Sequence, residues 1–181
     1  MFSKKSLFVA AVLVFTIFFG VSAANAQDPG CQYNLASLQG SYAVIVNYGA
    51  NLALGLRTES LDGRGNLTST GILNQPTPGS TTGERTVGTV LSTGTYTVNC
   101  DGTGVITRIV TRPDGTKASA VDDFVITTAI ASQNGRNWPH PRAIATTIVD
   151  AQRTPSVILS GGVFVTRVHT RLPDVPDGEE R

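Results

Sequence analysis

Apolar and polar residues alternate with a period of two along most of the chain. Gly40 to Tyr48 carries Tyr42, Val44, Val46 and Tyr48 at every second position, and Asn51 to Leu61 sets Leu52, Leu54 and Leu56 against Ala53, Gly55, Arg57 and Glu59. A period of two places successive side chains on opposite faces of an extended chain, so these runs predict half-buried β-strands. Similar β-branched runs cover 67–73, 85–91, 93–100, 105–112, 117–131, 143–150 and 157–170, with Phe124, Val125 and Ile126 at the centre of the longest. The pattern therefore predicts nine strands, and no amphipathic helix interrupts them after residue 26.

The breaks between runs have turn chemistry. Asp62-Gly63-Arg64-Gly65-Asn66, Asp101-Gly102-Thr103-Gly104 and Pro113-Asp114-Gly115-Thr116 supply the Gly, Asn and Asp that tight hairpins need. Short turns between sequential strands predict an all-β, antiparallel up-and-down barrel of about eight strands, with a β-sandwich as the alternative. Closure removes the exposed edges that an open sheet would leave. The turns invite a calcium reading, but each offers a single carboxylate where calcium takes several converging oxygens. Asn66-Leu67-Thr68 matches a glycosylation acceptor, yet Asn66 is accounted for as a turn residue.

The first 26 residues follow a different pattern. Lys4 and Lys5 precede an almost unbroken apolar stretch from Leu7 to Phe19, and Ala24-Asn25-Ala26 then fits a small-residue cleavage site. This predicts a signal-peptide helix over 1–26, removed on export to the periplasm or the exterior. The expected organisation is then an N-terminal segment over 27–39, the β-domain over 40–171 and a disordered Pro-rich, acidic tail over 172–181. In an exported chain the only two cysteines, Cys31 and Cys100, are expected to form a disulfide.

Charge narrows the partners. Removing Lys4 and Lys5 from 14 basic residues leaves 12 against 13 acidic ones, so no basic excess draws the mature chain to nucleic acid. Sparse aromatic residues and mid-strand charges at Arg57, Glu59, Arg108 and Arg167 argue against an outer-membrane barrel. No membrane association is expected once the signal peptide is gone.

One set of elements carries a resemblance. Leu38-Gln39-Gly40-Ser41-Tyr42, Leu61 to Thr68, Gly94 to Gly104 and Asp123-Phe124-Val125-Ile126 resemble a group of small secreted bacterial β-barrel proteins without assigned activity. Gly40-Ser41-Tyr42 also resembles, more distantly, the Gly-x-Trp opening of lipocalin-type barrels, with Tyr in place of Trp. The resemblance implies a barrel fold and names no reaction.

Candidate chemistry is thin. His140 and His169 are isolated from each other and from the cysteines, which leaves no metal site in view, and no Gly-x-Ser-x-Gly elbow is present. No cofactor is called for. Asp122 and Asp123 point to opposite faces; a cross-strand ion pair near a barrel end is the expected role, and the alternative is an inward aspartate paired with an inward Arg57, Arg108 or Arg167. Trp138, in the Asn137 to Pro141 loop, is expected to cover an end of the core. The leading expectation is a non-enzymatic exported barrel that binds a small, mostly apolar ligand, with Tyr42, Tyr48, Tyr96 and Arg167 as candidate binding residues. The alternatives are a structural or interaction module of the cell envelope with a filled core, and a small barrel isomerase or cyclase working through Asp122 or Asp123.

Overall fold

A computed structural model describes residues 31–49, 53–77, 79–132, 142–154 and 164–174. Eight antiparallel strands follow one another around a closed barrel: β1 (Gly40–Asn47), β2 (Leu54–Leu61), β3 (Asn66–Pro76), β4 (Arg85–Val98), β5 (Thr103–Thr111), β6 (Lys117–Ala131), β7 (Ala143–Gln152) and β8 (Thr166–Arg171). β8 pairs with β1, with Ile45 opposite Val168, and this pairing closes the sheet. The up-and-down barrel expected from the turn spacing is thus the observed fold. The signal-peptide segment, the Trp138 and His140 loop and most of the acidic tail lie outside the described residues.

Two of the nine expected strands are one. The break placed at Ser92 is absent, and β4 runs unbroken from Arg85 to Val98. Ser92 faces inward between Ser69 of β3 and Val110 of β5, so a polar residue occupies an ordinary lumen position. At the other end of the pattern, β6 and β7 shift register between Ile126 and Ala129. This irregularity changes the phase of β7, so that Ala145 and Ile148, three residues apart, are both buried.

The Asp-Gly turns are built as their sequences suggest. The Asp62 carboxylate accepts hydrogen bonds from the Arg64 and Asn66 backbone N–H groups and from the Asn66 side chain, at 2.7–2.9 Å. Asp101 and Asp114 each accept from the N–H and hydroxyl of the threonine two residues on. Gly63 and Gly102 have positive φ, at 74° and 86°, which a side chain at either position would resist.

One end of the barrel is plugged by the segment before β1. A short 3-10 helix, Leu35–Leu38, buries Leu38 completely, and its Leu35 carbonyl accepts a hydrogen bond from the Tyr96 hydroxyl at 3.2 Å. Cys31 and Cys100 are joined by a disulfide that ties this segment to the turn after β4. Arg171, at the end of β8, donates to the Gln39 carbonyl and lies over the Tyr42 ring. The lower half of the lumen above this plug is apolar, with Leu61, Leu67, Ile106, Phe124 and Ile148 all buried.

The mid-strand charges do not sit on the outer wall. Arg57, Glu59, Arg108 and Arg167 all face the lumen, so they say nothing about what the wall contacts. Outside, Val125, Val149, Val168, Ile45, Leu56 and Ile72 form one row in register across six strands, and all six are exposed. Threonines hold many of the other outward positions. Among the described residues no helix is long and apolar enough to cross a membrane.

The disulfide closes a loop of 69 residues in sequence separation, which the chain-entropy model values at about 4 kcal/mol. Replacing both cysteines with alanine is expected to lower the unfolding free energy by roughly that amount while leaving the far-ultraviolet spectrum of the barrel intact. Urea unfolding followed by circular dichroism checks it.

Candidate functional site

The middle of the lumen is ionic. Arg108, central in β5, has Gly94 of β4 on one side and Ala120 of β6 on the other. These small neighbours leave the guanidinium room to cross the barrel. It donates from Nη1 to Glu59 Oε2 at 2.7 Å, from Nε to Asp122 Oδ2 at 2.8 Å and from Nη2 to Asp150 Oδ2 at 3.2 Å. Arg167, from β8, places Nη1 2.9 Å from Asp122 Oδ1 and 3.0 Å from Asp150 Oδ1. His169, two residues on, completes the layer with Nε2 2.9 Å from Asp150 Oδ2 and Nδ1 3.2 Å from Glu59 Oε1.

The electrostatics of the layer are self-consistent. Burial pushes the Glu59 carboxyl up, but Arg108, His169 and Arg167 overcome it and hold the group down at about 2. Burial opposes ionisation of Asp150 as well, and contacts with His169, Arg167 and Arg108 leave it below the usual carboxylate range. For His169, burial favours the neutral ring, yet its bonds to Asp150 and Glu59 prevail and raise its pKa. Nε2 is hydrogen-bonded to Asp150, and Nδ1 faces Glu59 at ion-pair distance. Three carboxylates are thus set against two guanidiniums and the His169 ring.

Arg57 stands apart from this balance. It projects from β2 between Val44 of β1 and Gly71 of β3 and is 5% exposed. A Cβ at position 71 would overlap the Leu56 carbonyl and the Arg57 Cα and Cγ, so glycine there makes room for the arginine. Nη2 donates to the Tyr48 hydroxyl at 3.0 Å, while Nε and Nη1 have no acceptor among the described residues. This group lies on the side of the ionic layer away from the helical plug, where β1 ends and β2 begins. Inward positions here are small or aliphatic, among them Val46, Gly55, Leu73, Gly88, Val90 and Ala120.

The four candidate binding residues are all in the lumen, but they do not form one group. Tyr42 is fully buried and donates to the Ala145 carbonyl at 3.1 Å. Tyr96 donates to Leu35 in the plug, and burial raises its pKa to about 12. Arg167 belongs to the ionic layer. Tyr48 alone reaches the Arg57 end. Of the paired aspartates, Asp122 is the inward one and meets both Arg108 and Arg167. Asp123 is outside, in a two-pronged pair with Arg153 at 2.7–2.8 Å.

Reading the residues one by one missed the cluster as a cluster. Glu59 and Asp150 carried no role, and His169 read as an isolated histidine at a strand end. A signal was present. Arg108 lies between Ile106 and Val110, Asp150 is two from Ile148, and Arg167 is two from Val165. A charge in phase with buried aliphatics on its own strand is a lumen charge. Comparison with family models, with curated proteins and with solved structures finds no match to this chain.

Arg108→Ala leaves buried carboxylates without their main partner and is expected to cost about 3–5 kcal/mol. Asp123→Ala, which breaks a half-exposed pair, is expected to cost under about 1 kcal/mol. Urea midpoints of the two variants give the comparison. The raised pKa of His169 fixes the sign of a pH effect. Its stabilising contribution is complete below the unfolded value of about 6.5 and is lost as pH rises through the higher folded value. The unfolding free energy of the native chain should therefore fall over that alkaline window, and His169→Gln should flatten the profile there.

Proposed function

We propose that this protein is an exported, non-enzymatic binding barrel that takes a small ligand at its Tyr48–Arg57 end and not along an open lumen. The observation that carries this reading is the division of the lumen into unequal parts. The plug seals one end, the ionic layer fills the middle, and side chains that project inward are nearly all buried. The remaining end combines aliphatic and small inward residues with unpartnered N–H donors of Arg57. There Ala118 is a small inward residue, Val46, Leu73 and Val90 offer aliphatic surface, and Tyr48 and Arg57 offer donors. Pockets of this composition, mostly apolar with a few placed polar groups, are the usual form of a small-molecule site.

The isomerase reading draws no support from either aspartate. Asp122 is held between two guanidiniums, and Asp123 is on the outer wall. A proton-transfer group needs to be free to exchange its proton with a substrate at hydrogen-bond reach.

The neutral apolar dye Nile red tests the site. It is expected to bind the native chain with a blue shift in emission. Ala118→Phe, at a half-buried position opposite Val110 near this end, should weaken that binding about tenfold with little change in melting temperature. Equal binding by the native chain and a folded Ala118→Phe variant would place the ligand elsewhere.

A further inference from the structure

Among the described residues, Arg57 is a buried lumen cation that no carboxylate contacts. Glu59, Asp122 and Asp150 are the inward carboxylates among the described residues; Glu59 and Asp122 each contact two of Arg108, Arg167 and His169, and Asp150 contacts all three. None of the three is in ion-pair contact with Arg57. Arginine cannot shed its proton to escape burial, as a lysine or histidine can. A buried, unneutralised guanidinium is among the most costly groups a fold can carry. From this geometry we propose that the Arg57 end of the barrel binds a small monoanion of the carboxylate class, held by a free edge of the Arg57 guanidinium and by the Tyr48 hydroxyl.

The donors are arranged for it. Nη2 of Arg57 donates to the Tyr48 oxygen, so the Tyr48 proton is directed to a further acceptor. One N–H of Nη2 is used on Tyr48; the other forms a fork with whichever of Nε or Nη1 lies on the edge away from Tyr48, and such a fork matches the two oxygens of a carboxylate. The hydroxyls of Ser69 and Ser92, paired across β3 and β4 one inward step nearer the ionic layer, are also buried without partners. Arg112 follows the end of β5 at this end of the barrel, and its Nε too is buried without an acceptor among the described residues. Burial is the largest influence on the Arg57 pKa and, with repulsion from Arg167 and Arg108, lowers it against the opposing attraction of Tyr48 and Glu59. The close packing around Arg57 limits what enters to a small anion or to the head of a longer acid whose aliphatic part rests on Val46, Leu73 and Val90.

This inference rests on the ligand reading above, and the test separates the two. Isothermal titration of the disulfide-bonded chain in a low-anion zwitterionic buffer uses sodium acetate, sodium decanoate and decanol. The expected result is binding of a carboxylate that weakens at least tenfold in Arg57→Met, while the far-ultraviolet spectrum of the barrel is unchanged. Binding of acetate as well as decanoate identifies a free small anion as the ligand, and binding of decanoate alone identifies the acid head of an amphiphile. Decanol binding as tightly as decanoate, with no effect of Arg57→Met, overturns the anion and keeps the ligand site. Failure of all three probes with Nile red still bound overturns the anion alone, and failure of Nile red as well removes the ligand reading with it. The melting temperature gives an independent measure. Arg57→Met should melt at or above the native chain in the low-anion buffer, and only the native chain should gain from the bound carboxylate. A lower melting temperature for the folded variant would show that Arg57 is satisfied within the fold, and the inference would fall.

Discussion

The fold depends on the guanidinium of Arg108 at the centre of the barrel. Its three carboxylate partners come from β2, β6 and β7, and Arg167 and His169 add β8. Five of eight strands therefore meet in one ionic layer. Such a layer contributes little net stability, because desolvating the charges offsets most of their attraction. Its effect is on uniqueness. A one-residue slip of any of these strands would turn its charge to the outside and leave its partners buried alone. The apolar residues of the lumen, mostly Val, Ile and Leu, would not by themselves discriminate between registers so sharply.

The same layer gives the barrel two different ends. Below it, aromatic and aliphatic side chains fill the lumen down to the helical plug, and the tyrosine hydroxyls there are used on backbone carbonyls of the plug and of β7. Above it, glycines and alanines face inward, and Arg57 has hydrogen-bonding capacity to spare. Arg57 is conspicuous because no carboxylate of the layer contacts it. The asymmetry leaves the lower half as structural core.

Much of the fold was legible from local chemistry. The Asp-Gly turns were readable because their hydrogen bonds lie within a few residues, as at Asp62 with Asn66 and at Asp101 with Thr103. The cysteine pair followed from count and export signal alone. The false break at Ser92 arose because a serine beside a glycine-rich stretch looks like a turn, and only its neighbours Ser69 and Val110 show it to be a lumen residue. The candidate site was less legible. Tyr48 was picked out with three residues that the structure places elsewhere in the lumen, and Arg57 was seen only as one possible partner for an aspartate.

By itself the sequence determined the strands, their turns and their antiparallel order, because period-two alternation and positive-φ turns are properties of neighbouring residues. It also determined that Asp122 and Asp123 face opposite sides. It did not determine which side of β2 is the inside. Leu54 and Leu56 alternate with Arg57 and Glu59, and hydrophobicity alone would bury the leucines. The tertiary structure does the reverse, with Leu56 half exposed and Glu59 fully buried. The reason is closure. Once β8 pairs with β1 and the Asp62 turn fixes β2 against β3, the parity of every strand is set by its neighbours, and Glu59 can be inside because Arg108 and His169 arrive there from strands far along the chain.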